Sequence, residues 1–188
     1  MLTQEKIQSN FKKYIELLES NQIQVQNLVD KLGVDLISAP YTTTNKFYGA
    51  FEGGFIEQSL RIGKYMFQSN KMLPEGMRVS QRSIMLVSLL HAVASVISFK
   101  PNPSQWHVEK LGQIYVFNED LVSMTFGERS VKMIIDAGIE LTDEEYQAIL
   151  NYNKEDDKQA KSFSSTLAQL LKVAIILANE EGKKIINE

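Results

Sequence analysis

One run of this chain, SIMLVSLLHAVASVISF from Ser83 to Phe99, is apolar almost without interruption, and it limits what the rest of the chain can be. Read at helical pitch over about 81–98 it presents no polar side. A helix that is apolar all round has to be covered on every side. Ser88, His91, Ser95 and Ser98 interrupt the stretch between Ile84 and Phe99, so that it falls short of a membrane span. The expectation is a central core helix that carries His91 into the interior, with Ser80 as its N-cap.

The other segments supply the layers around it. Ile7, Phe11, Tyr14, Ile15 and Leu18, then Ile23, Val25, Leu28, Val29 and Leu32, recur at helical spacing until Gly33. They predict two amphipathic helices or one bent helix over 1–33, packed on a helical domain at 34–188. Pro40 and the run Thr42-Thr43-Thr44-Asn45 make 34–50 a connection. Gly53-Gly54 opens a helix to about Gln68 with Ile56, Leu60, Gly63 and Phe67 on one face, and Pro74 and Gly76 place a loop over 72–79. Segments 105–109 and 113–117 flank Lys110-Leu111-Gly112 and predict a small β-hairpin, with His107 an exposed strand residue beside Trp106. Gly127-Glu128 starts a short helix to about Ala137. Thr142-Asp143-Glu144-Glu145 is a capping box for a helix to about Tyr152. A loop or frayed end at 154–161 and a last helix over about 164–182 complete an all-α chain with one hairpin.

With 188 residues, 44% hydrophobic and 23% charged, the chain has the size and composition of one folded domain, with or without a short N-terminal extension. It has no cysteine and two histidines, which excludes disulfides and thiolate chemistry and leaves little material for a zinc site. A formal charge of -3 gives no basic footprint for nonspecific nucleic-acid binding. The lysines towards the end alternate with acids, as on a solvated helix face. Glu5, Glu16 and Glu19 in the first helix do not fit a signal peptide, so the expected location is cytoplasmic, without membrane association. Gly53-Gly54 lacks the following Lys-Ser/Thr of a phosphate loop. Glu52, Glu57 and Glu128 could form an acidic site, but acids at helix starts also have a dipole and capping explanation.

The order Phe47-Tyr48-Gly49-Ala50-Phe51-Glu52-Gly53-Gly54-Phe55-Ile56-Glu57-Gln58-Ser59-Leu60, followed by Leu86-Val87-Ser88-Leu89-Leu90-His91-Ala92, resembles the HD-domain superfamily of metal-dependent phosphohydrolases, and within it small phage and bacterial hydrolase-like proteins. The Trp106 segment, Phe126-Gly127-Glu128-Arg129-Ser130-Val131 and Leu141-Thr142-Asp143-Glu144-Glu145 extend the similarity, which covers about 41–179. The resemblance implies a helical bundle that holds one or two divalent metals through His, a His-Asp pair and a distant Asp, and so activates water against a phosphoester. Here Gln58 stands at the first His position, Ala92 at the Asp of the pair and Asn179 at the distant Asp. Two intermediate histidines are also missing, near Phe126-Gly127-Glu128 and at Tyr152. Of the core ligands the resemblance implies, only His91 remains.

One imidazole and two amides cannot offset dehydration of a divalent cation as a charged ligand set does. No metal, no cofactor and no catalytic residue are therefore expected. Gln58, His91 and Asn179 are expected to form a neutral polar core network in the former pocket. The leading expectation is a catalytically inactive HD-fold protein, phage-encoded and acting in a host cytoplasm, that binds a protein partner through the N-terminal helices and the Trp106 segment. A homo-oligomer is also compatible. The alternatives are a nucleotide or phosphate-ligand module, with Arg61, Arg78, Arg82 or Arg129 as the cation and Gln58 and Asn179 as hydrogen-bonding groups beside Glu128, or a residual hydrolase with altered ligands.

Overall fold

The computed structural model describes residues 2–153 and 164–187. Its first helix starts where a threonine can cap it: the Thr3 hydroxyl accepts from the Lys6 amide, and α1 (Gln4–Ser20) turns Ile7, Asn10, Tyr14 and Leu18 inward at helical spacing. Two short helices follow, α2 (Gln26–Leu32) and α3 (Val34–Ser38). Between them Gly33 takes a φ of 55°, a conformation that favours glycine. The segment 34–50 is thus not all connection, because α3 buries Leu36 completely.

The long helix α4 (Gly54–Met72) comes next, then α5 (Gln81–Leu90), whose N-cap Ser80 accepts from the Ser83 amide. A turn leads to the single-turn helix α6 (Ser95–Ser98) and strand β1 (Phe99–Pro101). Helix α7 (Gln105–Leu111), strand β2 (Tyr115–Phe117), α8 (Phe126–Asp136), α9 (Asp143–Asn151) and α10 (Thr166–Asn187) complete the order. The loop or frayed end expected at 154–161 lies outside the described residues. The protein is mostly helical, with a sheet of two short antiparallel strands in which Phe99 pairs with Phe117 and Pro101 with Tyr115.

The hairpin is placed differently from the sequence expectation. Segment 105–109 is helical, and the strand partner of β2 is β1, with α7 inside the connection. The helix forms because Ser104 caps the His107 amide and Gly112 ends it in the left-handed region at φ 66°. His107 is therefore a half-buried helical residue and not a strand residue.

The apolar run is covered as expected but is not one helix. Between Leu90 and Ser95 the amides bond three residues back, Val93 to Leu90 and Ser95 to Ala92. The Ala94 amide is taken by the Ser130 hydroxyl of α8 at 3.2 Å. The Ser88 carbonyl, the acceptor for the Ala92 amide in an unbroken helix, receives the His91 ring at 3.0 Å. Two side-chain bonds thus compete with the helical ladder at the break. By length and composition alone 81–98 is apolar enough to cross a membrane, which corrects the reading that its polar residues disqualify it; within the fold 78% of it is buried.

Packing sets α4 at the centre, against α10 on one side, α5 on another and α1 on a third, with α9 closing against α10 and α8. Tyr14, Leu18, Phe55, Ile62, Met66, Leu86, Leu89 and Leu171 are all shut off from solvent. Each such side chain contributes about 1.5–3 kcal/mol relative to an exposed one. Helix α1 belongs to this core: its Tyr14 hydroxyl donates to the Leu89 carbonyl of α5 at 3.1 Å.

Candidate functional site

His91 closes the C-terminal end of α5 and is fully buried. Its Nδ1 lies 3.0 Å from the Ser88 carbonyl. A carbonyl only accepts, so Nδ1 carries the proton and donates. The lone pair on Nε2 then accepts from the Tyr41 hydroxyl at 3.1 Å. The Tyr152 ring meets the imidazole edge-on, with centroids 4.9 Å apart. Burial pulls the His91 pKa down from its usual 6.5 to about 4, and it pushes the Tyr41 and Tyr152 phenols up. All three groups are neutral at pH 7. Beside His91, Ala92 buries a methyl group with no donor atom.

Gln58 and Asn179 meet as a pair between α4 and α10, the Gln58 Nε2 donating to Asn179 Oδ1 at 3.0 Å. Gln58 is fully buried, and its Oε1 has no partner. This pair does not supply the His91 partners, which come from Tyr41 and Ser88. The single network expected from the sequence is therefore two. Proton chemistry separates them: the imidazole has one donor and one acceptor, and both are already used locally.

One turn further along α4, Arg61 is drawn into a charged junction. It pairs with Glu57 at 3.1 Å and with Glu181 of α10 at 3.0 Å, and its guanidinium lies 4.1 Å over the Tyr48 ring. Asn10 of α1 donates to Glu57 at 2.6 Å, and Lys64 reaches Glu181 at 3.5 Å. Two cations face two carboxylates here, so the junction offers no excess charge to a phosphate. Gly182 lets α10 approach the loop before α4, because a Cβ at that position would collide with the Tyr48 side chain.

Glu128 and Arg129 sit elsewhere, at the start of α8. Glu128 completes a capping box with Thr125, and Arg129 donates to the Val122 carbonyl. The remaining arginine candidates are held by other parts of the protein. Arg78 donates to the Leu73 carbonyl at 2.9 Å, and Arg82 pairs at 3.0 Å with the fully buried Glu145. Glu52, Glu57 and Glu128 do not assemble. Among the described residues no group of three or more His, Asp or Glu side chains could hold a metal ion.

The residues therefore do not fit the metal centre that the resemblance implies. Nδ1 of His91 is protonated, its Nε2 is occupied by Tyr41, Ala92 has nothing to offer and the two amides bond one another. The sequence reading missed Tyr41, Asn10 and Glu181. Tyr41 lies in a segment without periodicity, and an isolated Asn or Glu on an amphipathic helix carries no mark of a partner on another helix. No family model matches the chain, and no curated protein and no solved structure matches it.

Proposed function

We propose that this chain is a catalytically inactive HD-type helical protein that acts by binding a protein partner. The observation that carries the reading is the state of His91: both ring nitrogens are engaged by Tyr41 and Ser88, and its neighbour is Ala92. An imidazole held this way stabilises the core and has no lone pair left for a cation. On this reading the positions that the resemblance assigns to metal ligands hold the neutral side chains Gln58, Ala92 and Asn179 beside a neutral His91.

The apolar face of α1 is spent on α4 and α5, so among the described residues α1 brings no large exposed apolar side chain to a partner. Trp106 does, at 59% exposed, as do Val122 and Ile176. Protein prepared without chelator should hold far less than one equivalent of divalent metal and should hydrolyse phosphomonoesters and phosphodiesters at the background rate. Expressed in its native cells with an affinity tag, it should carry a stoichiometric protein through size-exclusion chromatography. A stoichiometric metal that disappears in His91→Ala, or recovery of the wild type with no protein bound, would sink the reading.

A further inference from the structure

Helices α2 and α8 enclose a groove of about 310 Å³ lined by Leu28, Leu32, Ile97 and Met133 and by four charged side chains. Of those four, Lys31, Arg129 and Lys132 are cationic and Asp136 alone is anionic. The chain as a whole carries -3, so the sign of the charge reverses at this groove. Asn27 of α2 donates to the Ala137 carbonyl at the end of α8 at 3.1 Å and fixes one end of the wall. Lys132 donates to Asp136 at 2.6 Å, and this bond, with the charges of Lys132 and Lys31, holds the Asp136 carboxyl below the usual carboxylate range; the three cations still outnumber the one carboxylate. Arg129 also lines a neighbouring depression with Phe117, Val122 and Met124, and the apolar lining continues past it.

We infer that this groove docks an acidic segment of the partner protein, with apolar side chains on the floor and carboxylates against Lys31, Arg129 and Lys132. The inference rests on the protein-binding reading above. An apolar floor with a rim of net positive charge takes its affinity from burial and its selectivity from the rim. A basic segment would meet three cations offset by the single carboxylate of Asp136. A neutral one would leave the rim cations without new partners.

The full chain, labelled for NMR, is titrated with three synthetic peptides that share leucine anchors one helical turn apart and differ only in flanking Glu, Lys or Gln. The Glu peptide should shift the amides of 28–32 and 129–136 saturably. The double variant Lys31→Glu, Lys132→Glu should weaken it roughly tenfold or more, whereas Lys12→Glu on α1 should leave it unchanged. Equal binding by the Lys or Gln peptide, shifts confined to other residues, absence of saturable binding, or shifts that follow protein concentration as in self-association would each overturn the groove assignment. A native partner retained undiminished by the double variant also overturns the groove and leaves the protein-binding reading standing. Absence of any partner from the wild type overturns that reading itself.

Discussion

The two buried polar sites, around His91 and around Gln58, differ in how completely they are satisfied. Every hydrogen-bonding atom of the imidazole has a partner within the protein, whereas Gln58 leaves Oε1 unpaired beside Asn179 and Arg61 leaves Nη1 unpaired beside Glu57. A finished neutral network stabilises a core, while a buried amide with a free oxygen contributes little net stability. The contrast predicts a large response to mutation at one site and a small one at the other.

The largest effect should come from His91→Ala, which opens a cavity and strands the Tyr41 hydroxyl and the Ser88 carbonyl. We expect a loss of about 4 kcal/mol in denaturant unfolding; a loss below about 1 kcal/mol would mean that the ring is not held as described. Next in size is the pH response. With a folded pKa of about 4 against a usual 6.5, His91 is neutral in the folded chain where the unfolded chain binds its proton. Its contribution is therefore complete above about pH 6.5 and falls as the pH drops towards 4, by roughly 3 kcal/mol at about 1.4 kcal/mol per pKa unit. The comparison with His91→Gln isolates it, since the variant should lack that part of the slope; identical slopes would refute the assignment. The smallest effect is expected for Gln58→Met, which removes one hydrogen bond and one unpaired oxygen together and should change stability by less than about 1 kcal/mol. A loss as large as that of His91→Ala would erase the distinction between the two sites.

Much of the helical architecture was legible because its signals are local. Thr142 and Glu145 form the reciprocal cap that their spacing announces, and Ser80 caps α5. The misplaced hairpin was a failure to weigh equally local signals. Ser104 three residues before His107 and a terminal Gly112 mark a helix, but the aromatic and branched residues between them read as strand. The break after His91 was not legible in the same way. It depends on the Ser130 hydroxyl meeting the Ala94 amide 36 positions away, in a run with neither glycine nor proline to mark it. For the site, burial of His91 followed from its surroundings in sequence, but its partner Tyr41 comes from a loop 50 positions earlier, and no periodicity connects the two.

The Gln58–Asn179 contact joins positions 121 residues apart. Since α4 takes one of its walls from α10, a nascent chain that has released α1 to α9 still exposes that side of its central helix. The core can therefore close only once α10 has been made. Ribosome-bound chains stalled before Thr166 should thus remain protease-sensitive although most of the described helices have been synthesised.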